Sequence, residues 1–420
     1  MTGRSPARLD VDRLIDDRRT RIIVCCGSGG VGKTTIAAAI GLRAAEHGRR
    51  VVVLTVDPAR RLAQSMGLSS LDNTPRLVPG VQVGDQADGT GTGPAGSLHA
   101  MMLDMKRTFD EIVEAHADPD RAAQILANPF YQSLSSSFAG TQEYMAMEKL
   151  GQLRRADEWD LIVVDTPPSR SALDFLDAPQ RLARFLDGKL LRLLIAPAKV
   201  GGRAYLRALN AGFGVVTGML TKILGTQVLR DVQTFVSALD TMFGGFRERA
   251  DYTYQLLRAP GTAFLVVAAP EEDALREASY FVERLDTERM PLAGLILNRV
   301  QQVPAAQLSA ARSLAAAEVL QAAAPGRPRP GHHDGPSHPA PPHRGRGQLG
   351  ADDQAASRQL TIAALQLHAE RMAQAAAERR VAGSFAAAHP LVPVAEVPAQ
   401  PEDVHDLEGL RRIGESFAAR

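Results

Sequence analysis

The chain has 420 residues, enough for one large α/β domain with insertions or for two to three domains of ordinary size. A hydrophobic share of 45% beside 23% charged residues suits a soluble folded protein, and a net charge of +1 offers no basic surplus to hold a nucleic acid. The two cysteines, Cys25 and Cys26, are neighbours in one predicted strand and point to opposite faces as core thiols, which argues against a disulfide framework or a cysteine zinc site.

Residues 1–20 are rich in Arg and Asp, lack an apolar core, and read as an N-terminal extension rather than a secretory signal. No apolar run approaches the roughly 20 residues that span a bilayer, so a cytoplasmic protein is expected. Residues 21–26 form an apolar, β-branched run that reads as a buried strand. Gly27-Ser28-Gly29-Gly30-Val31-Gly32-Lys33-Thr34 then fits G-x-x-x-x-G-K-[ST], and Thr35 continues into an alanine-rich helix. Strand, glycine loop and helix is the context that marks a phosphate-binding loop. Glycines let successive N–H groups face phosphate oxygens, and the helix start adds its unpaired N–H groups and dipole. Lys33 supplies a charge for the β- and γ-phosphates, and the Thr34 hydroxyl suits Mg²⁺. A plain glycine turn is the competing reading, which the correct flanks make improbable.

Gly48 stops the helix, and an apolar strand over residues 51–56 delivers Asp57 to the edge of the sheet that carries the loop. Asp57 before Pro58 is equally readable as a cap or turn residue. Residues 84–96 are a glycine-rich surface insertion, and a short strand follows near 98–103. Helical patterns fill 104–157, where Met101, Met102, Met105, Met145 and Met147 are read as packing residues before an apolar client groove. Residues 161–165 are four apolar residues ending in Asp165, the arrangement in which a strand-end Asp helps hold Mg²⁺. Thr166-Pro167-Pro168 stops that strand. A second helical block spans about 171–260. Strands at 261–270 and 292–298 around a helix at 271–286 make a βαβ unit and a parallel sheet. Residues 325–350 turn abruptly to Pro, Gly, Arg and His without periodicity and read as a disordered linker. A helix over 351–381, a strand near 391–397 and a last helix complete the chain.

The expected fold is an α/β P-loop NTPase with a mainly parallel central sheet flanked by helices and an inserted helical subdomain. Its sheet domain, residues 21–420, is assembled from 21–103, 159–178 and 261–420, with helical inserts at 104–158 and 179–260. With the glycine loop, Asp57-Pro58-Ala59, Asp165-Thr166-Pro167-Pro168, Asn298-Arg299 and residues 398–403 in hand, the chain resembles the anion-transporting ATPases. That family includes arsenite-pump ATPases and targeting factors for tail-anchored membrane proteins.

The resemblance implies ATP and Mg²⁺ as ligands and ATP hydrolysis as the activity. It implies phosphate contacts from Gly27, Ser28, Gly29, Gly30, Val31, Gly32, Lys33, Thr34 and Thr35. Thr34 would ligate Mg²⁺ and Asp165 would sense it, through water. Asp57 would orient the attacking water, so Asp57, Lys33 and Asp165 carry catalysis. Asn298 would contact adenine, with Pro398 and Ala399 covering the base. With one glycine loop per chain, it implies a dimer, and an apolar or membrane-associated client. Three departures qualify this. Ser28 stands where the family loop carries a lysine that reaches the partner's phosphates, and a hydroxyl cannot supply that charge. The arsenite-binding cysteines have no counterpart, and neither has the zinc-binding C-x-x-C, so no zinc is expected. Ser28 therefore opens a second reading, a slow or non-hydrolysing subunit paired with a lysine-bearing homologue. A partitioning ATPase is a third, opposed by the long helical inserts, Asp57-Pro58-Ala59-Arg60 and the near-neutral charge.

Overall fold

A computed structural model describes residues 7–56, 60–81, 96–129, 131–132, 141–167, 248–249, 251–323 and 351–418. All but the last residue of the expected glycine-rich insertion at 84–96, most of the second helical block and the linker at 325–350 lie outside them, as does Asp57. The elements are α1 (Val11–Asp16), β1 (Ile22–Cys26), α2 (Lys33–Glu46), β2 (Arg50–Thr55), α3 (Arg60–Ser65), β3 (Arg76–Leu77) and β4 (Ser97–Met102). They continue with α4 (Met105–His116), α5 (Pro119–Ala127), α6 (Thr141–Ala156), β5 (Leu161–Asp165), β6 (Thr262–Ala268), α7 (Glu272–Thr287) and β7 (Leu292–Val300). α8 (Ala310–Ala322), α9 (Ala351–Ala388), β8 (Val394–Pro398) and α10 (Leu407–Ser416) follow.

Eight strands form one sheet in the order β3-β4-β2-β5-β1-β6-β7-β8. The pairs β4–β2, β2–β5, β5–β1, β1–β6 and β6–β7 are parallel, and only the two-residue β3 is shown antiparallel to its neighbour. The protein is thus an α/β P-loop type with a mainly parallel sheet. β1 sits inside, hydrogen-bonded to β5 on one side and β6 on the other, and all five of its residues are buried. A strand covered on both faces has no use for alternation, which is why Ile22-Ile23-Val24-Cys25-Cys26 is continuously apolar. Each buried Ile or Val side chain contributes about 1.5–3 kcal/mol by leaving water, so the strand together outweighs a single backbone strain of about 1–3 kcal/mol. The chain can therefore hold an unfavourable loop at the tip of β1.

Parallel pairing also fixes what meets at that tip. β1 and β5 pair Cys25 with Asp165, and β2 and β5 pair Thr55 with Asp165. Burial pushes both thiols up, Cys25 further raised by Asp165 and Cys26 to about 12, so they stay protonated.

Residues 7–20 add to the core rather than trailing from it. Val11 and Ile15 of α1 are fully buried in the same apolar cluster as β1 and α2. Arg49, 1% exposed, anchors this segment: its guanidinium donates to the carbonyls of Ile15 at 2.6 Å, Thr20 at 2.5 Å and Asp160 at 2.5 Å. Burial pulls its pKa down to about 10, still high enough to keep the charge at neutral pH. Arg49→Ala removes these charge-assisted bonds and leaves a void. We expect it to cost about 3 kcal/mol in urea denaturation with an unchanged slope, and a loss below about 1 kcal/mol would contradict this role.

The described contacts separate into two units, Met1–Arg299 with Phe385–Arg420, and Val300–Ser384, a division not drawn from the sequence. Within the second, His368 Nε2 lies 2.8 Å from the Leu308 carbonyl, and the Glu378 carboxylate accepts from the Gln301 N–H at 2.8 Å. Among the described residues, no helix is long and apolar enough to cross a membrane.

Candidate nucleotide site

The loop between β1 and α2 is shaped by two tight approaches. Gly27 has φ +149°, and a Cβ there would collide with the Val267 carbonyl of β6. Gly32 has φ +89° and caps α2 in the left-handed region, and its missing Cβ leaves room for the Asn298 amide. No side chain caps α2, so the N–H groups of its first turn have no side-chain partner of that kind. Gly29 and Gly30 are exposed at the mouth, while Val31 is buried beneath it. The result is an open cradle of backbone N–H groups over a helix start, the geometry that favours a phosphate.

Lys33 is 6% exposed and its Nζ donates to the Ser28 carbonyl at 2.7 Å. The ammonium is thus curled back over the loop that it would share with phosphate. At the next residue, Thr34 Oγ1 donates to Asp165 Oδ2 at 2.7 Å. Thr55 Oγ1 donates to the same oxygen at 3.0 Å. Asp165 itself is fully buried at the end of β5. Thr166 continues the strand end by donating from Oγ1 to the Cys25 carbonyl at 2.9 Å, which straps the residue after Asp165 to β1. Hydroxyl and carboxylate oxygens side by side are hard ligands, the donor set that Mg²⁺ takes with water. The glycine cradle and this oxygen pair fit a magnesium nucleotide.

At β7, Asn298 is buried and donates from Nδ2 to the Val31 carbonyl at 2.8 Å, while its Oδ1 accepts from the Arg299 N–H at 3.0 Å. Arg299 takes φ +65°, a left-handed conformation at a non-glycine residue. Pro398 ends β8, and its carbonyl accepts from Gln400 Nε2 at 3.1 Å; Ala399 is exposed. Ser28 is buried, and its hydroxyl has no hydrogen-bond partner among the described residues.

The structure brings together Gly27 to Thr35, Asp165 and Asn298. Two participants escaped the sequence reading. The Val267 carbonyl leaves no signal, since it acts as backbone. Thr55 did leave one: it is a hydroxyl in a strand whose other buried residues are apolar, two residues before Asp57.

A family model described as anion-transporting ATPase matches residues 20–323. The chain is similar to the protein named ATPase get3 of Schizosaccharomyces japonicus, 22% identical over 293 residues, covering 69% of this chain and 78% of that one. The corresponding ATPase get3 of Schizosaccharomyces pombe is 22% identical over 290 residues, with 69% and 76% covered. ATPase ARSA2 of Chlamydomonas reinhardtii is 23% identical over 305 residues, with 69% and 70% covered.

Proposed function

The chain belongs to the anion-transporting ATPase family, and from that premise we propose that it binds Mg·ATP on its glycine loop and couples cleavage to the holding and release of a client or partner by its helical region. ATPase activity itself follows from the family. The observation that carries the site is the Thr34–Asp165 contact of 2.7 Å, with Lys33 one residue away on the same helix start.

In this reading the N–H groups of Gly27, Ser28, Gly29, Gly30, Val31, Gly32 and Thr35 cradle the phosphates. Lys33 leaves the Ser28 carbonyl for the β- and γ-phosphate oxygens. Thr34 and, through water, Asp165 would hold Mg²⁺, which would neutralise charge on the phosphates. Asp57 would orient the attacking water. Asn298, Pro398 and Ala399 flank the adenine. Loops after β2 and β5, ordered by the γ-phosphate and released on its loss, would pass the change to the helices. In this reading the chain acts as a dimer, since one chain carries one glycine loop.

Ser28 favours a second reading, in which this chain is the slow subunit of a heterodimer with a lysine-bearing homologue. The test is steady-state ATP turnover by the purified chain alone, with its mass followed by light scattering, and then with the homologue added. A dimer of this chain turning over at roughly 1 s⁻¹ or faster removes the heterodimer reading. Asp165→Asn should lower turnover about a hundredfold in the same assay. Turnover within about threefold of wild type would place the metal elsewhere.

A further inference from the structure

We propose that Asn298 is a positioning residue for the phosphate-binding loop, acting on the phosphate end of the nucleotide separately from any contact with the base. This rests on the nucleotide reading above. The argument starts from the amide. Its donor end meets the Val31 carbonyl and its acceptor end meets the Arg299 N–H, so both ends are fixed and the amide has one orientation. The left-handed Arg299 at φ +65° turns the chain so that its own N–H reaches back to Asn298, a conformation held only where the surroundings demand it.

The Val31 carbonyl belongs to the planar peptide that joins Val31 to Gly32. In a trans peptide, C=O and N–H point in opposite directions. Holding the carbonyl towards Asn298 therefore turns the Gly32 N–H away from it. Gly32 is the residue that caps α2, with φ +89°, and the space a side chain would take there is filled by the Asn298 amide. A glycine with so wide a choice of conformation needs an outside restraint to present one donor direction. Asn298 is that restraint, and it is delivered from a strand 267 positions away in sequence.

The experiment uses the full chain and two ligands, Mg·ATP and magnesium tripolyphosphate, which has the linked phosphates without base or sugar. Asn298→Ala and Asn298→Asp are compared with wild type by calorimetric titration. The aspartate variant keeps the volume and the Arg299 bond, turns the donor to Val31 into a second acceptor, and adds a negative charge near the phosphates. Asn298→Ala is expected to weaken tripolyphosphate about tenfold and Mg·ATP by at least as much, with a thermal midpoint near that of wild type, and Asn298→Asp is expected to weaken both ligands further through its charge. A loss confined to Mg·ATP, with tripolyphosphate binding unchanged, overturns the proposal and makes Asn298 a reader of the base alone. Collapse of the fold in both variants also overturns it, since a role limited to the loop leaves the sheet standing. Wild-type protein that binds neither ligand overturns the nucleotide reading itself.

Discussion

Lys33→Ala is expected to lower ATP turnover at least about a hundredfold while leaving the fold in place. The ammonium is the one side-chain cation in the loop, and its 2.7 Å bond to the Ser28 carbonyl shows that it reaches the loop's own backbone. Its loss removes a point charge from a site built largely of backbone dipoles, and no other residue of the loop can replace it. The check is phosphate release at saturating Mg·ATP, beside circular dichroism to confirm that β1 and α2 persist. Turnover within about threefold of wild type would mean that the chemistry happens elsewhere. Because Lys33 is also buried, Lys33→Met is the useful companion, since it keeps most of the stem and removes the charge.

Gly27→Ala is expected to be strongly destabilising for so small a substitution. The residue sits at φ +149°, where an L side chain is strained, and its Cβ would strike the Val267 carbonyl. The obstacle is the backbone of β6, paired with β1 over residues 262–266 and with β7 at Val267, so it cannot swing aside as a flexible side chain would. We expect a loss of about 3 kcal/mol or more in chemical denaturation, from the left-handed penalty together with displacement of a paired strand. Gly30→Ala is the control. It too has a positive φ, +78°, but nothing lies within 4 Å of the added carbon, so only the conformational penalty remains, about 1 kcal/mol. Equal losses in the two variants would show that the contact with Val267 is unimportant.

The sheet was legible because each buried strand is a short apolar run bounded by a turn signal, as in residues 21–26 and 161–165. The site was legible for a related reason. Parallel strands bring their C-terminal ends to one edge, so Asp165 and the glycine loop had to meet once β1 and β5 were neighbours. What the sequence hid is set by contacts between distant segments. Arg49 looked like one more charge before a strand, and nothing in its neighbours announces the carbonyls that it serves. Residues 7–20 looked polar because only Val11 and Ile15 of α1 face the core fully buried, too short a stripe to stand out. The two residues of β3 are exposed and carry no periodicity. Asn298 was picked out by family likeness as a base contact, but its bond to Val31 depends on a pairing of strand end and loop that no local pattern encodes.

The most direct measurement is Mg²⁺-dependent ATP binding and cleavage by the purified chain, run beside Lys33→Ala and beside wild type in EDTA. The account predicts that wild type binds Mg·ATP, that any turnover needs the metal, and that both fall together in Lys33→Ala. ATP binding that is unchanged in Lys33→Ala, or turnover that survives removal of Mg²⁺, would contradict it.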